Sequence, residues 1–317
     1  MKLVHTSTLL SLISLVLLSG CMNDEESAFE QQVRAENEII ENYLTENNIQ
    51  AERLNSGIHF EVLQENPSGT IVKNESIVAI RYNLRTLEGK AIDSLPDSLA
   101  SLRFFHAQDF PNALFPRGIN IGVGHMREGE QYRFYIPSYQ AFDAYSFGQY
   151  LPRNSMLIAE VTLEKIEEKE SVKVEEMKTI TEYIEAHNLT NAKELSSGIF
   201  FELLKEGDGE KPETGALVKV NFKGQYLDGE VFDESEKDKP YEFFVGKNRV
   251  IPGFELGVEA MNEGGKARIF VPSHLGFGEG VQVIPPAIRK DFLTEYNVRN
   301  LRPYEPMIFE LELVDIQ

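Results

Sequence analysis

Apolar residues along this chain follow two patterns. Phe29, Val33, Ile40, Tyr43 and Leu44 recur at close to helical spacing, and so do Val172, Met177, Ile180 and Ile184. Each set predicts a helix with one apolar stripe, which docks on the rest of the chain or on a partner. Segment 164–185 also holds eight acids and four lysines, as expected of an exposed connector helix. Elsewhere the apolar residues form short runs. In the second half these are Ile199–Leu204, Val218–Tyr226, Tyr241–Val245, Lys266–Val271 and Ile308–Val314. They are rich in Val, Ile, Leu, Phe and Tyr, the composition of strands. Asp228-Gly229 is a hairpin turn signal. Pro252 suits a first helical position, and the run to Met261 stops at Gly264-Gly265. An antiparallel sheet packed on one short helix is an α+β arrangement.

The pattern occurs twice. Ser56-Gly57-Ile58-His59-Phe60-Glu61-Val62-Leu63 matches Ser197-Gly198-Ile199-Phe200-Phe201-Glu202-Leu203-Leu204. Gly122-Val123, Met126 and Glu128-Gly129 match Gly257-Val258, Met261 and Glu263-Gly264. Pro137-Ser138 and Phe142 match Pro272-Ser273 and Phe277. The offsets run from 135 to 141 residues, far above the roughly 20–50 of solenoid repeats. Two copies of one domain are predicted, at 54–168 and 190–317. An acidic tether and helix (21–53) precedes the first, and a connector helix (169–189) precedes the second.

Residues 1–20 read as an address. The run Leu9–Leu18 is too short to span a bilayer, which takes about 20 residues, and suits a signal-peptide core. Leu18-Ser19-Gly20-Cys21 resembles the lipobox of bacterial lipoproteins. That resemblance implies removal of residues 1–20, lipidation of Cys21 and a place in the cell envelope. There the lipid holds the protein to a bilayer, with the outer membrane favoured. A plain secretory signal with an incidental cysteine is the alternative. Asn23-Asp24-Glu25-Glu26 is similar to the surface-export tags of some lipoproteins, or is a solvated tether.

Composition narrows the chemistry. The 317 residues carry 31 Lys and Arg against 51 Asp and Glu, a formal net charge of −20. Such a chain is a poor partner for nucleic acid. Cys21 is its one cysteine, so neither an internal disulfide nor a Cys-based metal site is expected. None of the six histidines pairs at helical metal-ligand spacing, and neither a metal nor a cofactor is predicted.

Residues 218–233, VKVNFKGQYLDGEVFD, resemble the FKBP family of peptidyl-prolyl cis-trans isomerases. So do Lys239–Phe243, Val245–Lys247, Val250–Phe254, Val283–Pro286 and Met307–Leu313. The resemblance implies two tandem FKBP-like domains and, in the second, isomerase activity on proline-containing polypeptide clients. It also implies a role in folding exported proteins. The catalytic set it implies is Phe222, Phe232, Asp233, Ile251, Phe254, Phe277 and Phe309. Tyr241, Val250 and Ile284 complete the binding pocket. The sequence departs from the family at Phe254, where tryptophan is common, and at Phe277, where tyrosine is usual. Those departures favour the alternative, a non-catalytic chaperone or envelope scaffold.

In the first copy Tyr82 and Asp93 align with Phe222 and Asp233. Ile92, Ile119 and Ala159 fall at Phe232, Phe254 and Phe309. Pro116 falls at Ile251 and lacks the backbone N–H that the family uses to orient the peptide. The first copy is expected to keep the fold with little or no activity. Ala287–Pro306 is an insertion, net positive through Arg289, Lys290, Arg299 and Arg302. It either selects acidic clients or is an inert surface loop.

Overall fold

A computed structural model describes residues 26–94, 101–107, 116–143, 151–236, 238–278 and 301–317. The leader, Cys21, Ile284 and most of the 287–306 insertion lie outside them.

The first unit runs α1 (Ala28–Glu46), β1 (Glu52–Arg53), β2 (His59–Gln64), β3 (Ile77–Thr86), β4 (Ala91–Ser94), β5 (Ser101–Phe104), α2 (Arg117–Val123), β6 (Gln131–Ile136) and β7 (Leu157–Glu167). The second unit repeats it. Its elements are α3 (Lys169–Ala186), β8 (Lys193–Glu194), β9 (Phe200–Lys205), β10 (Leu217–Tyr226), β11 (Val231–Glu234), β12 (Tyr241–Phe244), α4 (Pro252–Glu259), β13 (Lys266–Val271) and β14 (Met307–Ile316). Each unit folds around an antiparallel sheet, ordered β1-β2-β6-β7-β3-β4 in the first and β11-β10-β14-β13-β9-β8 in the second. β5 pairs with β3, and β12 pairs with β10.

The predicted strands of the second copy hold to within two residues at either end. Two elements escaped the sequence: β8, of two residues, and β11, whose Phe232 and Asp233 were read as a motif rather than a strand. Gly229 turns the β10–β11 hairpin at φ +88°, a conformation few other residues adopt easily. α1 opens on a capping box. Ser27 Oγ accepts the Glu30 N–H at 3.2 Å, while the Glu30 carboxylate accepts the Ser27 N–H at 2.8 Å.

One face of each sheet packs on its short helix. In the second unit Val218, Val220, Phe254, Val258, Ile269 and Leu311 form that core. The long helix covers part of the other face. Ile180 is buried against Phe200, Phe270 and Ile308. Ile40 and Leu44 are buried against Leu87, Tyr135, Met156 and Ile158. The stripe of α3 thus docks within the chain, as its spacing predicts, while most of the rest of the helix is exposed, as its charges predict. Fully burying one such side chain stabilises by about 1.5–3 kcal/mol. The stripe is also shorter than its pattern, since Phe29 remains 58% exposed. Between the units, Ile77 of β3, Val172 of α3 and Tyr304 form a small buried cluster.

Candidate functional site

The site lies on the α4 side of the second sheet. β10 supplies Phe222 and β11 supplies Phe232 and Asp233. Tyr241 starts β12, Phe309 stands on β14 and Phe254 is the third residue of α4. Val250 and Ile251 come from the segment entering α4, and Phe277 follows the 3-10 turn Ser273–Leu275. These nine residues line one cavity of about 440 Å³. The tenth predicted position, Ile284, is outside the described residues. Asn248, Arg249 and Pro252 also line the cavity and were missed. They flank the Val250-Ile251 motif in sequence, and that adjacency was the available signal.

The rings meet edge to face, as their quadrupoles prefer. Phe254 lies 5.4 Å from Phe309 at 87° and 5.5 Å from Phe222 at 89°. Phe232 lies 5.6 Å from Phe309 at 83° and 6.1 Å from Phe277 at 85°. Phe254 therefore forms the floor, with no indole N–H. Gly224 makes this close packing possible. It stands opposite both Asp233 and Phe309, and a Cβ there would sit 2.7 Å from the Phe232 ring and 2.8 Å from that of Phe309.

Ile251 is the N-cap of α4, and Pro252 follows as the first helical residue. No described residue accepts the Ile251 N–H. The short helix thus leaves a backbone donor beside an apolar cavity. Behind Phe232, the Tyr226 ring lies 5.0 Å away and its hydroxyl accepts the Arg302 N–H at 2.5 Å. Burial pushes the Tyr226 phenol up to about 12. The Arg302 guanidinium stacks 4.6 Å above that ring and pairs with Asp228, Glu230 and Glu305. One of the four bases of the insertion thus pairs with two acids of the β10–β11 hairpin and with the insertion's own Glu305.

The first unit carries different side chains at the same place. Leu84 stands opposite Asp93 and Ala159, the positions of Asp233 and Phe309. Leu84, Ile92, Ile119 and Ala159 are all buried in one core. The Tyr82 hydroxyl donates to Asp93 Oδ2 at 2.6 Å, a bond Phe222 cannot make with Asp233. Pro116 is the N-cap of α2 and has no N–H to offer.

Comparison with known proteins gives one family. The model for FKBP-type peptidyl-prolyl cis-trans isomerase matches residues 69–164 and 208–314, more than half of the chain. FK506-binding protein 4 of Emericella nidulans is 40% identical over 89 residues, 28% of this chain and 19% of its own length. The chloroplastic peptidyl-prolyl cis-trans isomerase FKBP16-3 of Arabidopsis thaliana is 34% identical over 118 residues, 37% of this chain and 48% of its own. A peptidyl-prolyl cis-trans isomerase of Saccharomyces cerevisiae is 36% identical over 94 residues, 30% and 22% of the two chains. The chain thus spans less than half the length of each of these relatives.

Proposed function

This chain belongs to the FKBP-type peptidyl-prolyl cis-trans isomerase family, and from that premise we propose that its second unit isomerises Xaa-Pro bonds in polypeptide clients while the first does not. The observation that carries the proposal is the contrast between the two copies. Edge-to-face rings line an open cavity beside a backbone donor in the second, where aliphatic side chains and a proline occupy the first.

The chemistry asks for little else. Rotation about a peptide bond costs about 18–20 kcal/mol because amide resonance is lost. The twisted transition state has less C–N double-bond character and a less polar carbonyl. An apolar cavity that excludes water therefore favours it over the planar ground state. Phe222, Phe232, Phe254, Phe277 and Phe309 supply that cavity, with Tyr241 and Val250 at its rim. The Ile251 N–H orients the client by donating to its carbonyl, and Asp233 is the polar group at the edge. Each roughly 1.4 kcal/mol of differential binding is worth about tenfold in rate.

The role is the folding of exported proteins, where slow proline isomerisation can limit the rate. The Leu9–Leu18 run and the lipobox-like Leu18–Cys21 support it, with the envelope as the place and a lipid anchor on Cys21. No helix among the described residues is long and apolar enough to cross a membrane. A protease-coupled assay on the full chain tests the activity. Wild type should speed cis-to-trans conversion, and Asp233→Ala and Phe309→Ala should each slow it. A wild type no faster than buffer favours a non-catalytic chaperone or scaffold.

A further inference from the structure

Resting on that reading, we propose that Glu176 on α3 is a positioning residue for the catalytic pocket. Its carboxylate holds the turn that carries Phe277. Glu176 is 6% exposed and Ser273 only 3%. One carboxylate oxygen accepts the Ser273 N–H at 2.7 Å, and the other accepts the Ser273 hydroxyl at 2.5 Å. Ser273 opens the 3-10 turn, and the first N–H of such a turn has no partner inside it. Glu176 supplies that partner from another element. The turn then closes through Leu275 N–H to Pro272 O at 3.0 Å and Gly276 N–H to Ser273 O at 2.9 Å. Phe277 follows directly.

Phe277 needs such a hold because it borders two cavities. It lines the pocket, and it also lines a second cleft of about 350 Å³ together with Val172, Glu176, Ser273, His274 and Tyr304. It is half-buried and meets Phe232 edge to face, so the backbone that bears it shares in fixing its place. Gly276 adds a second constraint, since a Cβ there would come within 2.0 Å of Met307 Cε. Burying a carboxylate is costly unless it is hydrogen-bonded, and burial does raise the Glu176 carboxyl above its ordinary range. The two bonds to Ser273 offset that cost. The helix that enters the unit thus reaches the wall of its pocket.

The molecule contains its own control. In the first unit Glu36 of α1 accepts the Ser138 N–H at 2.7 Å and the Ser138 hydroxyl at 2.6 Å. That clamp matches, but the positions of the pocket rings beyond it carry Ile92, Ile119 and Ala159. Removing either clamp should cost similar stability, while only one should change turnover.

The test uses the full chain, folded by circular dichroism, with kcat/KM read on a prolyl peptide. Glu176→Ala should lower kcat/KM about tenfold, equivalent to losing roughly 1.4 kcal/mol of transition-state stabilisation. Glu176→Gln, which keeps a carbonyl acceptor for the Ser273 N–H, should recover most of it. Glu36→Ala should lower the melting temperature to a similar degree and leave kcat/KM unchanged. Combined with Phe277→Ala, Glu176→Ala should add little, because both act on one wall. If Glu176→Ala does not fold, Ser273→Ala is read in its place and should give a smaller fall in the same direction. The proposal is overturned if Glu176→Ala (or Ser273→Ala in its place) turns over like wild type, if Glu36→Ala slows turnover equally, or if the double variant is additive. A wild type with no turnover sinks the isomerase reading instead.

Discussion

Gly224 and Phe309 face each other across β10 and β14, and Leu84 and Ala159 face each other at the same register across β3 and β7. In one unit the bulk comes from β14 as a ring, which leaves a hollow. In the other it comes from the neighbouring strand as a branched aliphatic. Exchanging volume between facing core positions is usually tolerated at less than about 1.5 kcal/mol. Because a Cβ at 224 also meets the Phe232 ring, the swap needs three changes: Gly224→Leu with Phe232→Ile and Phe309→Ala, which copies Leu84, Ile92 and Ala159, should melt within a few degrees of wild type and lose most turnover. A stable and fully active triple variant would show that the hollow is not the site. At the pocket floor, Phe254→Trp introduces the chain's sole tryptophan. It should lower KM for a prolyl peptide by up to roughly tenfold, the worth of an added aromatic contact of about 0.5–1.5 kcal/mol. Its fluorescence should change on peptide binding, and an unaltered spectrum at saturating peptide would place the peptide elsewhere. The aromatic positions were legible because each sits in a motif. Gly224 was not, because a glycine inside a strand reads as a weak point, and its reason, Phe309, stands far along the chain.

Both long helices dock through an apolar layer, α3 with Ile180 and Met177 on Phe200, Phe270 and Ile308, and α1 with Ile40 and Leu44 on Leu87, Tyr135, Met156 and Ile158. The first unit also buries polar residues, Asn37, His59 and Gln140. Asn37 Oδ1, Ser56 Oγ and Gln140 Oε1 have no hydrogen-bond partner among the described residues. Desolvation, with Arg53 nearby, holds the His59 imidazole below its ordinary value, and Glu41 opposes them only partly. The unfolded chain therefore binds a proton that the folded unit resists. The stability His59 contributes is present above about pH 6.5 and is lost as pH falls through its lower folded value. His59→Phe, which copies Phe200, should flatten the loss of first-unit stability between pH 7 and 5, as read by thermal melts. An unchanged pH slope would remove His59 as the cause. On α3, Ile180→Ala should cost the second unit about 2–5 kcal/mol in denaturant unfolding. A cost near zero would show that the stripe does not hold α3 to the sheet. The apolar stripes of both helices could be read from spacing. Glu36 and Glu176 could not, because each lies among acids that look like a solvated face and its serine partner is about a hundred residues away.

At the scale of the molecule, the repeat in the sequence is a repeat in space. Two similar sheets carry a site lined by aromatic rings and a counterpart with aliphatic side chains, and they are joined by a helix docked on the second. The repeat, its offset and the degeneration of the first copy were legible because matching motifs keep their order. The contact between units was legible only in part: Val172 belongs to the predicted helical stripe, but Ile77 and Tyr304 belong to no motif. The central claim is that turnover resides in the second unit alone. Two-dimensional NMR exchange on a proline-containing peptide with catalytic amounts of the full chain tests it most directly. Wild type and Tyr82→Phe, which removes the first unit's Tyr82–Asp93 bond, should give equal cis–trans exchange. Phe232→Ala should reduce exchange to the uncatalysed rate. Exchange that survives Phe232→Ala, or that falls with Tyr82→Phe, would contradict the account.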